Sequence, residues 1–184
     1  MRLRRQAPSD DAARLGLARC GPGSRIVHPT FGVHNPTSIA LGSRVLIQSH
    51  AFLEAIGMPG EVVLDIGDDT YIGFMGRITA LSGVSIGNSV LIADRVYISD
   101  TGHEYEDPDV PIKDQPLRVG RRVRIDDGVW LGVGSTVVGN IHIGQNAVIA
   151  AGCVVRGDVE ARTVVAGDPA RVVRRYADGK WQRA

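Results

Sequence analysis

The chain has 184 residues, a length that suits one domain built on a single core. Its formal net charge of +1 lacks the strong basic excess of a dedicated nucleic-acid binder, and no stretch approaches the roughly 18 apolar residues of a membrane-spanning helix. Aromatic residues make up 5% of a chain that is 43% hydrophobic and holds 23 glycines, so the apolar content is mostly small and aliphatic and suits short, tightly stacked strands.

The chain opens Met1-Arg2-Leu3-Arg4-Arg5, the basic start of a signal peptide, but Gln6 to Asp11 is polar and no apolar segment follows. An N-terminal arm over 1–24 is therefore expected, with a short helix from Asp10 to Ala18 capped by Ser9 or Asp10. From about 25 to 168 one period dominates. An aliphatic residue recurs at every sixth position at Val119, Ile125, Leu131, Val137, Ile143, Ile149 and Val155. The fifth position of each hexad is small or β-branched: Val123, Val129, Ser135, Ile141, Ala147, Cys153 and Val159. Earlier rounds are Leu41, Ile47, Leu53, then Ile66, Ile72, Ile78, then Ile86, Ile92, Ile98.

Neither a helix of 3.6 residues per turn nor an alternating strand sustains a period of six. A triangular coil does: each hexad is a short strand plus a corner, and three hexads close one turn of about 18 residues with the aliphatic side chains stacked inward. The expected fold is all-β, a parallel β-helix. Coil starts at Leu41, Ile66, Ile86, Ile125 and Ile143 lie 25, 20, 39 and 18 residues apart. The large excess marks an inserted loop at about 101–118, and insertions in a rigid solenoid are where function concentrates. Residues 169–184 form a tail in which Pro169 to Tyr176 is expected to turn into a second short helix. Two cysteines, Cys20 and Cys153, are too few for a disulfide framework, and a cytoplasmic setting is the default. Cys153, at a fifth position, reads as packing.

The segment from Gly128 to Arg174, with its GVWLG, AAGCVVRGD and GDPAR stretches, resembles the C-terminal coils of the maltose, galactoside and colanic-acid type O-acetyltransferases of the hexapeptide-repeat family. ISDTGHEYEDPDVPIKDQ, from Ile98 to Gln115, matches their loop, and a looser likeness reaches back to about Leu17. The hexads alone do not give handedness, and ordinary crossover physics favours a right-handed connection. The resemblance implies a left-handed parallel β-helix, acetyl-CoA as co-substrate, a hydroxyl acceptor that is a sugar or sugar-like, and a homotrimer with each site between two neighbouring solenoids.

His103 lies at the head of the inserted loop and matches the family's catalytic histidine. An imidazole suits the removal of a proton from a hydroxyl as its oxygen attacks the thioester carbonyl, with no metal required. The plainer reading of a histidine in a polar loop is a solvated one, and the motif outweighs it. Of the other histidines, His28, His34 and His50 fall in the first coils and His142 at a hexad corner, and these read as structural. A base works better when its second ring nitrogen is held. Asp100, Glu104, Glu106 and Asp107 are the nearby acids, and Asp100 is preferred because the family often has Asp three residues before the histidine.

Alignment with the family places Val133, Ala151, Arg156, Gly157, Arg171 and Arg174 at CoA-contacting positions. The two last arginines suit phosphate oxygens, against the alternative of a solvated basic tail. Trp130 either lines the CoA groove or caps the core. Gly73 stands where the galactoside and maltose enzymes have an acceptor-binding asparagine, so acceptor identity does not transfer. Alternatives are an amino-sugar or antibiotic acceptor on the same fold, a zinc carbonic anhydrase needing three convergent imidazoles, and a non-catalytic solenoid used for assembly.

Overall fold

The computed structural model describes residues 11–58 and 60–184. The chain winds into a left-handed parallel β-helix with three flat faces, which we call A, B and C. Face A stacks six strands, from Arg19–Cys20 through Ile39–Leu41, Leu64–Ile66, Val84–Ile86 and Val123–Ile125 to Ile141–Ile143. Face C also has six, from Gly32–His34 to Val154–Val155, and face B has nine.

The period of six dictates this shape. Leu41, Ile66, Ile86, Ile125 and Ile143 pair in register up face A. Ile47, Ile72, Ile92, Leu131 and Ile149 do the same on face B, and Leu53, Ile78, Ile98, Val137 and Val155 on face C. All fifteen are at most 3% exposed, so the three columns meet as one dry core. The fifth positions Val123, Val129, Ser135, Ile141, Ala147, Cys153 and Val159 are buried with them.

Between faces A and B every coil turns through one residue in the left-handed region: Gly23, Arg44, Asp69, Ser89, Gly128, Asn146 and Arg162, with φ between 54° and 77°. The same corner ties coil to coil through side chains. Asp68 accepts from the Ser43 N–H at 2.8 Å, Asn88 from the Asp68 N–H at 2.8 Å, and Asp127 from the Asn88 N–H at 2.7 Å. A Cβ at Gly42 would collide with the Asp68 carboxylate, which is why that position stays bare.

Three expectations change. The solenoid begins a coil earlier than the hexads suggest, because Arg19–Cys20, Arg25–Ile26 and Gly32–His34 pair with the strands above them. Val119 is 74% exposed and outside the columns, since the chain is still in its loop there. The C-terminal helix is absent: Arg171–Ala177 is a strand, antiparallel to Thr163–Ala166, and Lys180–Arg183 pairs with it in turn. An open edge of face B offers that segment backbone partners, which outweighs weak local helix propensity. The N-terminal helix is four residues, Asp11–Arg14, and the expected caps Ser9 and Asp10 lie outside the described residues, as does the basic start of the arm.

The loop leaves from the corner between faces C and A, and Asp100 closes that corner. Its fully buried carboxylate accepts from the N–H groups of Leu81, Ser82 and Gly83 at 2.7, 2.8 and 2.6 Å. Removing it strands three amides that no other group among the described residues reaches. Hydrogen bonds to charged groups contribute about 1.5–3 kcal/mol, so Asp100→Ala is expected to lower unfolding free energy by at least that amount, measured by urea denaturation. Stability equal to that of the parent chain would show that the corner closes without the carboxylate.

Candidate active site

The loop between Tyr97–Ser99 and Val123–Ile125 is anchored by a short ladder at its base. The Arg118 N–H donates to the Gly102 carbonyl at 2.7 Å and the Glu104 N–H to the Pro116 carbonyl at 2.9 Å, with His103 opposite Leu117 as an antiparallel bridge. His103 therefore stands on paired backbone, with its side chain exposed. Its Nδ1 faces the Gln115 carbonyl oxygen at 3.5 Å, a long contact.

Gln115 is the buried polar side chain of this loop, 8% exposed, and its Nε2 donates to the carbonyls of Asp107 and Val110, both at 2.8 Å. One residue thus folds the loop tip back and presents its own backbone oxygen to the imidazole. Nothing in the residue pattern singles it out.

The four acids near His103 have other partners. Asp100, the preferred candidate for holding the ring, is turned inward onto the 81–83 turn, and with its oxygens taken by three amides the expected pairing with His103 is not formed. Arg118 binds Glu104 at 3.0 Å and Glu106 at 2.7 Å while its guanidinium lies 4.4 Å over the Tyr105 ring. Asp107 accepts from the Asp109 N–H at 3.0 Å. The ring is backed by a main-chain carbonyl rather than by a carboxylate.

The residues aligned to CoA contacts fall into three places. Arg156, Gly157 and Arg171 line one cavity of about 300 Å³ on the last coil, together with Val159, Pro169 and Val172, and Arg156 reaches Asp168 at 3.5 Å. Val133 and Ala151 are exposed and stack on successive coils at the corner between faces B and C, where the Gly152 N–H donates to the Val133 carbonyl at 2.9 Å. Trp130 stands beside that corner on face B, 48% exposed and in register between Leu91 and Val148, so it does not cap the core. Arg174 lies further along the terminal hairpin, opposite Val164 and Arg183, and outside the cavity.

Cys153 is fully buried, and burial first, then the nearby charge of Asp168, raise its thiol pKa; a group so disposed toward the neutral form packs rather than attacks. The remaining histidines are spread over the solenoid: His34 packs on Phe52, His50 between Phe31 and Phe74, and His142 binds Asp126 at 2.8 Å. No group of three or more His, Cys, Asp or Glu side chains among the described residues could hold a metal ion, and no helix among them is long and apolar enough to cross a membrane.

Comparison with known proteins points the same way. The pattern of the family described as bacterial transferase hexapeptide (six repeats) matches residues 122–157. A putative lipopolysaccharide biosynthesis O-acetyl transferase, WbbJ of Escherichia coli, is 31% identical over 83% of this chain and 79% of its own. A probable acetyltransferase of Mycobacterium tuberculosis is 37% identical, but the match spans 60% of this chain and only 37% of that protein. Among solved structures, the N-acyltransferase AntD from Bacillus cereus, in complex with dTDP and 3-hydroxybutyryl-CoA, superposes with a TM-score of 0.79 at 17% identity, covering 93% of this chain and 89% of its own. A hexapeptide-repeat acetyltransferase of Vibrio cholerae gives 0.65 at 21% identity, covering 95% and 84%. The likeness to AntD and to the Vibrio protein concerns the fold, whereas the identity to WbbJ runs along most of both chains, and on that ground this chain belongs to the hexapeptide-repeat acetyltransferase family.

Proposed function

We propose that the protein transfers an acetyl group from acetyl-CoA to a hydroxyl of a sugar or sugar-like acceptor, with His103 as general base. The observation that carries this reading is the exposed imidazole of His103, fixed on a paired loop base and backed at Nδ1 by the Gln115 carbonyl. A proton held on Nδ1 toward that oxygen leaves Nε2 as the acceptor. Nε2 takes the hydroxyl proton as the oxygen attacks the thioester carbonyl; the carbon–sulfur bond breaks and the thiolate departs. Asp100 acts one step back, holding the corner from which the loop springs.

The residues present fit the donor. Arg156 and Arg171 face one cavity beside Gly157 and Asp158, and although Arg156 also reaches Asp168, the guanidinium of Arg171 is paired to no carboxylate among the described residues and suits phosphate oxygens. Val133, Ala151 and Trp130 give an exposed apolar track suited to the thin pantetheine arm. Acetyl-CoA supplies the activated acyl group. A cytosolic setting, where an acetyl-CoA pool is at hand, accords with this reading.

The track and the base lie at opposite edges of face C: Val133 and Ala151 at its corner with face B, His103 at its corner with face A. A three-residue strand spans about 10 Å. A site containing both is most simply completed by the wall of a second copy, so we assign the protein as a homotrimer, the closed symmetric assembly that a flat-walled solenoid permits.

Light scattering is expected to give about three times the 19.7 kDa of the chain; a monomer that still turns over would refute shared sites. His103→Ala and His103→Asn should keep the melting temperature and acetyl-CoA affinity of the parent chain while kcat falls about 10²- to 10⁴-fold, the usual contribution of a general base. Retention of more than about a tenth of kcat on a true acceptor removes His103 from that role. Combining Arg171→Ala with Arg174→Ala should raise the KM for acetyl-CoA about tenfold or more, the worth of charge-assisted contacts to phosphate. An unchanged KM would return both arginines to a solvated hairpin.

A further inference from the structure

We propose that the C-terminal hairpin docks on an anionic phospholipid surface, through one face that carries Arg174, Tyr176, Trp181 and Arg183, with Lys180 beside the turn. The hairpin consists of Arg171–Ala177 and Lys180–Arg183, joined at Asp178 and Gly179, both in the left-handed region that a two-residue turn requires. Arg174 pairs with Val164 on one side and with Arg183 on the other, and Tyr176 pairs with Trp181. Side chains two apart on a strand share a face, so all four point the same way. Val164 lies between the buried Thr163 and Val165 and so faces outward, and the four continue its side of the sheet beyond the last coil.

Charge is segregated onto this segment. Of the 21 Lys and Arg residues five lie in 171–184, against one of the 20 acids, so the segment carries +4 and the rest of the chain −3. Arg175, on the opposite face, is paired with Glu160, whereas among the described residues no carboxylate pairs with Arg174, Lys180 or Arg183. Arg174 and Arg183 stand directly opposite each other, a like-charge pair that weakens a hairpin unless anions lie over it. Next to them Tyr176 and Trp181 are 43% and 37% exposed, packed edge to face with ring centroids 5.5 Å apart.

Cations beside amphipathic rings are what an interfacial anchor needs. Acidic headgroups attract the first, and Trp and Tyr sink an apolar body at headgroup level while the polar tip stays in water. Neither signal alone holds a protein firmly to a bilayer. A nucleotide fits this face less well, because the cavity of the last coil takes in Arg171 and Val172 from the same strand but none of the four. A single-stranded nucleic acid needs flat ring faces on which to stack its bases, and here the edge of one ring packs on the face of the other. In the homotrimer proposed above, cyclic symmetry sets three hairpins at one height along the axis, so their contacts add; that gain rests on the homotrimer, the face itself does not.

The test uses the full chain with vesicles of phosphatidylcholine alone and of equal parts phosphatidylcholine and phosphatidylglycerol. Co-sedimentation is read for the parent chain, for Trp181→Ser, and for Lys180→Glu combined with Arg183→Glu; Arg174, which the donor reading uses, stays unaltered. The parent is expected to sediment with the acidic vesicles and not with the neutral ones, and to be released by salt as the Debye length shortens. Vesicle affinity should fall about tenfold or more in each variant, with melting temperature and light-scattering mass unchanged. No sedimentation of the parent with acidic vesicles, equal sedimentation with both kinds, or parent-like vesicle affinity in either variant overturns the proposal. So does a hairpin-dependent affinity for a single-stranded DNA oligomer without vesicle binding, and so does a raised KM for acetyl-CoA in variants that still bind vesicles, which would give the face to the donor. A monomer by light scattering that binds acidic vesicles through these residues would instead sink the homotrimer and leave the docking face standing.

Discussion

Every other feature of this molecule depends on the inward stacking of one aliphatic side chain per hexad. A coil of three short strands cannot bury its apolar side chains alone, and only the coils above and below complete the core. Register is then set in three columns at once: a slip of one residue on any face would turn Ile72, Ile92 or Leu131 outward and expose the core. The corners follow from the same demand. To return the chain after so few residues, each corner between faces A and B passes through a left-handed residue, at a cost for non-glycine positions such as Arg44 and Asp69 that tight packing has to offset. The row Asp68, Asn88, Asp127 supplies acceptors to corner amides that the strand ladders do not reach.

Such regularity is what makes the fold legible in the sequence. From Leu41 onward the columns can be read by counting sixes, and the long loop shows as the place where the count breaks. Where the period itself fails, so does the reading. The first coil contributes Cys20, Ile26 and Val33, six and then seven residues apart with His28 and Pro29 at a corner, so the count of six holds for one step only. Val119 is the opposite error. It falls six before Ile125 by number, yet the chain has not rejoined the wall at that point. The terminal strands were hidden for a third reason: Arg171–Ala177 takes its structure from the free edge of Thr163–Ala166, a partner that composition does not reveal.

At the site, sequence separates what lies in the loop from what lies in the wall but cannot say which way a side chain turns. His103 stands out because it begins an insertion. Asp100, three residues away, looks equally available, yet it is still part of the wall and its carboxylate points under the corner rather than toward the ring. Gln115 is twelve residues from His103 and becomes its neighbour only because the loop doubles back.

These placements divide the labour between parts of different stiffness. The wall cannot bend without breaking three columns, so a group referenced to it is held in place. His103 is referenced to it twice, through Asp100 at the corner below and through the ladder of Gly102 with Arg118 at the loop base. The tip beyond Glu104 is tied by Arg118 and by the Gln115 amide, and its Pro108 and Pro111 limit the backbone without fixing it to the core. Residues of the tip can therefore change without moving His103, whereas a change at the corner moves His103 and loop together. On the proposed role of His103, a solenoid of this kind separates selectivity from chemistry along one short loop, with the chemistry at the end that is bound to the wall.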